Sequence, residues 1–123
     1  MERFYEKYII REGTKVDLSK FDPDDTLEFK DKAAGLALLE KNNHRIARLQ
    51  TDLYSEGKQS LLIVLQALDA GGKDGTIKHV MSGMNPQGID VWNFKQPSAE
   101  ELDHDYLWRC MKRLPERGKI CIF

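Results

Sequence analysis

The apolar positions change period along the chain. Between residues 31 and 56 they recur at helical spacing, with Leu39, Ile46, Leu49 and Leu53 on one stripe and Lys41, Arg45, Arg48 and Asp52 off it. That pattern predicts an amphipathic helix facing a core, and Gly57 supplies the stop. The spacing of seven between Leu39 and Ile46 also suits pairing with another helix. The run Leu61-Leu62-Ile63-Val64-Leu65 then breaks the period. Five consecutive apolar residues are too short for an average helix and lead into a glycine-rich turn. They predict a strand buried on both faces, as in a parallel sheet covered by helices.

Beyond the turn, Ile77, Val80, Met81 and Met84 return to helical spacing, and Gly83 with Asn85-Pro86-Gln87-Gly88 ends that helix. Residues Ile89 to Phe94 read as a second strand. Ser98 and Glu101 form a capping box, which starts a helix running to about Arg113 before Pro115 blocks it. Lys119 to Phe123 reads as a third strand. Strands alternating with helices imply a parallel α/β sheet. Residues 1–30 lack a period. Asp17, Asp22, Asp24 and Asp25 around Pro23 read as a solvated acidic turn in an arm or loop, because a calcium loop would need a central glycine and a closing glutamate.

Composition narrows the class of protein. With 123 residues the chain fits one domain, and 41% hydrophobic with 32% charged residues is ordinary for a globular chain. A net charge of −1 weighs against a general nucleic-acid binder, which needs many cations to displace counterions. The two cysteines, Cys110 and Cys121, fit neither a disulfide framework nor a zinc site and read as small buried hydrophobes. The N-terminus shows no signal-peptide pattern and no apolar run spans a bilayer, so the expectation is a cytoplasmic protein without membrane contact.

The chemistry concentrates in Gln66-Ala67-Leu68-Asp69-Ala70-Gly71-Gly72-Lys73-Asp74-Gly75-Thr76. The segment leaves a buried strand and enters a helix, the context of a phosphate loop. Glycines let the backbone curl so that successive amides point at one anion. The helix N-terminus adds positive partial charge, and Lys73 supplies a mobile full charge. Residues Ala70, Gly71, Gly72, Lys73, Asp74, Gly75 and Thr76 are the candidate phosphate-binding set. The general nucleotide loop would have glycine at Ala67 and a hydroxyl residue at Asp74 to help hold magnesium. Asp69, inside the loop, is the candidate to replace that ligand, either binding Mg²⁺ or orienting the attacking phosphate. Without phosphate chemistry, the same glycines would be a tight packing turn; neither Asp69 nor Lys73 is needed for that.

From Leu61 to Phe123 the sequence resembles the polyphosphate kinase 2 family of P-loop phosphotransferases. The likeness rests on Leu68 to Ile77, on His79 to Gly88, on Phe94 to Arg109 and on Leu114-Pro115-Glu116-Arg117-Gly118. Lys15 to Leu18 and Phe21 to Thr26 add weaker similarity to the family's entry segment. The resemblance implies a thymidylate-kinase-like P-loop fold with a parallel sheet and flanking helices. It implies transfer of a phosphoryl group between inorganic polyphosphate and AMP or ADP with Mg²⁺, guanine nucleotides being a further option. By the same analogy Asp69 and Lys73 are the catalytic pair, with Asp69 the metal ligand. Gly71 stands where the family more often has alanine, a difference expected to be tolerated. In the family the third strand runs into an acidic or amide residue followed by Arg-Ser, and a basic lid comes later. The expectation is therefore an N-terminal half, with the sheet incomplete: an arm and amphipathic helix over residues 1–58, and the front of the kinase domain over residues 59–123. Family members form oligomers, so a homo-oligomer is expected.

Lys95, Arg109 and Arg113 are the candidate substrate contacts outside the loop. Lys95 follows the second strand near its C-terminal end, where ligands sit in open parallel sheets, and Arg109 and Arg113 are one helical turn apart. Lys112 and Arg117 read as surface charges. His79 and His104 read as structural, since a phosphate acceptor is already ionised near neutral pH and needs no base. Trp92 and Trp108 read as core residues. Two rival functions share these features: an ATP-dependent small-molecule or nucleoside monophosphate kinase of the same fold, and a non-catalytic phosphate-binding or assembly module.

Overall fold

A computed structural model describes residues 6, 9–26, 29–68 and 70–123. The chain forms two compact units, Met1–Leu36 and Ala37–Phe123. In the first, a 3₁₀ turn at Leu18–Lys20 is capped by Asp17, whose Oδ1 accepts from the Ser19 amide at 3.2 Å and the Ser19 hydroxyl at 2.7 Å. Asp22 Oδ1 accepts from the Asp24 amide at 2.9 Å. The acidic residues thus hold their own turns, as short carboxylates do when they compete for backbone amides.

Helix α1 spans Lys32–Glu56. Asp31 caps it, its Oδ1 accepting from the Ala34 amide at 2.8 Å. Leu39, Ile46 and Leu53 are half-buried along one side, as their spacing predicts. Leu49 is not: it is 57% exposed, and the neighbouring Gln50 is the buried residue, at 2%. The reason is a pair of hydrogen bonds. Gln50 Nε2 donates to the Asn85 carbonyl at 2.8 Å, and Gln50 Oε1 accepts from the Asn85 amide at 2.9 Å. A carboxamide can donate to the carbonyl and accept from the amide of one residue, so both ends of the buried side chain are satisfied. Two turns earlier, Asn43 Nδ2 donates to the His79 carbonyl at 2.8 Å. Together these amides tie α1 to the main chain at His79 and Asn85.

Strands β1 (Leu61–Ile63), β2 (Ile89–Val91) and β3 (Ile120–Ile122) form a parallel sheet in the order β1-β3-β2. Leu61, Leu62 and Ile63 stand opposite Ile120, Cys121 and Ile122, which in turn face Ile89, Asp90 and Val91. Pairing continues past β1: the Leu65 amide reaches the Phe123 carbonyl at 2.8 Å, and the Trp92 amide reaches the Ile122 carbonyl at 2.8 Å. The third strand and the parallel sheet stand where the sequence places them. Central β3 is the core, with Ile120, Cys121 and Ile122 no more than 4% exposed. The expectation that β1 is buried on both faces fails. Leu61 and Leu62 are 47% and 37% exposed, and Val64 beyond them is 63% exposed. Among the described residues β1 pairs with β3 alone and lies at the sheet's edge, whereas β3 has a strand on each side.

Helix α2 covers Lys73–Val80, with Ile77 and Val80 turned inward, and Gly83 beyond it adopts φ +86°. Asn85 then caps the 3₁₀ turn Pro86–Gly88 that opens β2. The capping box at Ser98 is present in both directions, and it starts α3 (Ala99–Leu102). The helix expected from Ser98 to Arg113 is nonetheless broken, with α4 restricted to Trp108–Met111. Asp105 causes the break. Its Oδ1 takes the Leu107 amide at 2.9 Å and its carbonyl takes the Trp108 amide at 2.9 Å, which starts a new turn in place of continuing the old one.

Candidate functional site

The glycine-rich segment lies between the C-terminal end of β1 and the first turn of α2. Two left-handed residues make the bend: Ala70 with φ +61° and Gly72 with φ +78°. A non-glycine residue at positive φ is uncommon and marks a backbone held by its surroundings. The Gly71 amide donates to the Leu68 carbonyl at 3.0 Å, closing the bend on itself. The bend is tight at that point: a methyl at Gly71 would meet Ala67 Cβ at 2.8 Å and the Leu68 carbonyl oxygen at 2.9 Å. Alanine there would require a shift of the loop, so the bend as it stands suits glycine at this position.

The helix that follows starts at Lys73. By helix geometry the amides of Lys73, Asp74 and Gly75 have no intrahelical acceptor. Residues 70–75 line an open cavity of about 370 Å³, and Asn93 lines it from beyond β2. This volume is at the small end for ligand sites, and loop residues make up most of its wall. Lys73 Nζ lies 3.3 Å from the carbonyl oxygens of both Ala67 and Leu68, so the ammonium sits against the loop's own backbone. Thr76 is turned back into the helix, its hydroxyl donating to the Gly72 carbonyl at 3.1 Å. Asp69, assigned from sequence as catalytic residue and metal ligand, lies outside the described residues. Among the described residues, no group of three or more His, Cys, Asp or Glu side chains stands together as a metal site. Magnesium bound through phosphate oxygens does not require such a group, since it commonly uses one or two carboxylates plus substrate and water.

The candidate contacts outside the loop are placed differently from one another. Lys95, Arg109 and Arg113 are not among the described residues that line the cavity. Arg109 donates from Nη2 to the Lys95 carbonyl at 2.9 Å, its Nε stands 3.4 Å from Glu101 Oε1, and its guanidinium lies 5.0 Å from the Phe94 ring centre. Arg113 lies 3.8 Å over the ring of Trp92. Trp92 is not a core residue: it is 36% exposed beneath that guanidinium. Trp108 stacks on His104 at 4.0 Å with Lys112 on its ring at 4.0 Å, a surface cluster away from the loop's lining. His79 meets α1 through its backbone carbonyl. Asn93 was absent from the sequence-derived set. Its one signal was position, just past the C-terminal end of a parallel strand, where such sheets bind ligands.

Comparison with known proteins agrees with this architecture. Residues 29–123 match the family model of polyphosphate kinase 2. The AMP/ADP-polyphosphate phosphotransferase of Meiothermus ruber is 47% identical over 118 residues, which is 95% of this chain and 44% of that protein. The ADP-polyphosphate phosphotransferase of Rhodopseudomonas palustris is 45% identical over 117 residues, 95% of this chain and 40% of that protein. The crystal structure of polyphosphate kinase 2 from Arthrobacter aurescens TC1 superposes with a TM-score of 0.82 at 40% identity, covering 94% of this chain and 43% of that one. The chain thus spans less than half the length of these relatives.

Proposed function

We propose a function from one premise: the chain belongs to the polyphosphate kinase 2 family. It supplies the phosphate-holding part of an enzyme that moves a phosphoryl group between inorganic polyphosphate and AMP or ADP. The observation that supports this most is the bend at Ala70 and Gly72. It sets Lys73 and the first turn of α2, whose opening amides have no intrahelical acceptor, beside one small cavity.

In the forward direction an oxygen of the nucleotide's terminal phosphate attacks the end phosphorus of the polymer. The bridging P–O bond breaks, and the polymer leaves one unit shorter. Both partners are already anionic, so no side chain has to remove a proton. What the protein must do is hold charge and align the groups. The amides of residues 73–75 hold non-bridging oxygens. Lys73 now rests on two neutral carbonyls, and a phosphate oxygen, carrying full negative charge, is the stronger partner for it. Magnesium, when bound, would screen the facing phosphates; Asp69 is the residue proposed to hold it.

The test is a luciferase assay for ATP after mixing the chain with polyphosphate, ADP and Mg²⁺. ATP formation that requires polyphosphate and is lost in Lys73→Ala is the expected result. Phosphorylation of AMP from ATP but not from polyphosphate would replace this reading with that of an ATP-dependent kinase. A second reading rests on the chain's share of its relatives, 44% and 40%: a phosphate-binding module without turnover of its own. Retained binding of tripolyphosphate with no ATP formed would favour it.

A further inference from the structure

Three cations outside the loop stand near β2, yet the described residue from this region that lines the loop's cavity is the uncharged Asn93. The surrounding contacts explain why. The ladder bond from the Trp92 amide to the Ile122 carbonyl, 2.8 Å, extends the sheet pairing one residue past β2. In extended chain, alternate side chains point to opposite sides. Trp92 and Phe94, on one side, are both held. Arg113 lies 3.8 Å over Trp92, while Phe94 packs edge-on to Phe123 at 4.9 Å with Arg109 5.0 Å from its ring. Arg109 also takes the Lys95 carbonyl at 2.9 Å. The residues on either side of Asn93 are therefore fixed, and Asn93 itself is left facing residues 70–75.

We propose that Asn93 directly contacts the anionic substrate held by the phosphate loop, donating from its carboxamide to a phosphate oxygen. Arg109 and Arg113 are positioning residues that hold the 92–95 segment, and the polymer is gripped by the loop rather than by these arginines. A neutral donor suits the place. Lys73 and the start of α2 already supply positive charge there, with Asp74 also in the lining, and a carboxamide adds direction without adding charge. The inference rests on the loop binding phosphate and goes further by naming the second wall of that site.

The experiment is calorimetric titration of the intact chain with sodium tripolyphosphate, with Lys73→Ala, Asn93→Ala and Asn93→Asp beside it. Asn93→Ala is expected to weaken binding about 10-fold, the scale of a lost hydrogen bond to a charged group. Asn93→Asp is expected to weaken it further, and the excess loss should shrink as salt is raised, because a carboxylate then faces the anion. A purely structural residue would not show that salt dependence. Asn93 is exposed, so thermal midpoints should match the unsubstituted chain. A second reading comes from NMR, in which the Asn93 side-chain amide signals should move during the titration. If tripolyphosphate binds and Lys73→Ala abolishes binding, yet both Asn93 variants bind like the unsubstituted chain, this inference is overturned and the loop reading stands. If the unsubstituted chain does not bind tripolyphosphate at all, the proposed function falls and the role of Asn93 falls with it.

Discussion

Replacing Gln50 tests whether α1 is joined to the rest of its unit by polar contacts rather than by its apolar stripe alone. The side chain is 2% exposed and makes two hydrogen bonds to the main chain of Asn85, at 2.8 and 2.9 Å. A net hydrogen bond contributes roughly 0.5–1.5 kcal/mol, so removing both with Gln50→Ala costs about 2 kcal/mol. Asn85 is itself exposed, so water can partly replace the lost partners, and that keeps the estimate from the top of the range. At this chain length about 2 kcal/mol corresponds to a fall in Tm of roughly 8 °C. Gln50→Glu sharpens the test. It keeps the acceptor but puts a carboxylate oxygen where the donor was, facing the Asn85 carbonyl. Burial raises the pKa of such a carboxyl. The folded state then holds a proton that the unfolded chain releases, so the variant gains stability as the pH falls and loses it as the pH rises. Urea unfolding followed by circular dichroism at pH 7 and pH 5 reads both effects. A cost below about 0.5 kcal/mol for Gln50→Ala, together with no pH dependence in Gln50→Glu, would refute the clamp.

Two further outcomes follow from local geometry. Gly72 has φ +78° with no atom within 4 Å of where a Cβ would stand, so Gly72→Ala suffers backbone strain without a clash. It should lose about 1 kcal/mol in urea unfolding, and a stability equal to the parent chain would show that the bend is not left-handed in solution. Alkaline conditions should destabilise the protein. The Lys119 ammonium is raised above its ordinary 10.5 by its hydrogen bond to Glu116 and then by the charges of Glu116 and Asp90. Burial, and then the charge of Asp90, raise the Cys121 thiol above its ordinary 9.0. Both groups hold protons in the folded state that the unfolded chain releases. Their stabilisation is complete below about pH 9 and is lost as the pH rises through the folded values. The urea midpoint should therefore hold up to about pH 9 and fall as the pH is raised to about 11, and Cys121→Val should flatten the lower part of that fall.

The elements that were legible in the sequence are those set by local chemistry. Leu61 to Leu65 announces a strand because no helix that short is common, and Gly71, Gly72 and Gly75 around Lys73 announce the loop because a bend that serves anions needs both freedom and charge. The capping box at Ser98 and Glu101 was equally local and equally sound. What failed depended on neighbours. A run of five apolar residues cannot say whether one strand or two lie beside it, and β1 proved to be an edge. The helix from Ser98 ended early because Asp103-His104-Asp105 are poor helix formers, and Asp105 had a better use for its carboxylate. Hydropathy ranked Leu49 above Gln50, yet 43, 46, 50 and 53 make the helical stripe once Asn43 and Gln50 are admitted to it. Those two amides are buried or half-buried because their hydrogen-bond partners are backbone groups.

The site shows the same division between charge and placement. Reading for a polyanion selects cations, and Lys95, Arg109 and Arg113 were chosen on that ground. Charge alone does not say where a guanidinium goes. Arg113 has a tryptophan face within reach, and Arg109 has Glu101, a carbonyl and a phenyl ring. Each contact is available before any substrate arrives, and a side chain that gives up such partners to meet a phosphate loses part of what it gains. Among the described residues Asn93 has no such competing attachment, and the backbone on both sides of it is held. A residue whose place is set by its neighbours and whose polar atoms remain unspent is the better ligand, even when it carries no charge. For that reason the decisive comparison is between Asn93→Asp and Asn93→Ala. If the loop's field governs the space in front of Asn93, adding a carboxylate there must weaken tripolyphosphate binding more than removing the side chain does.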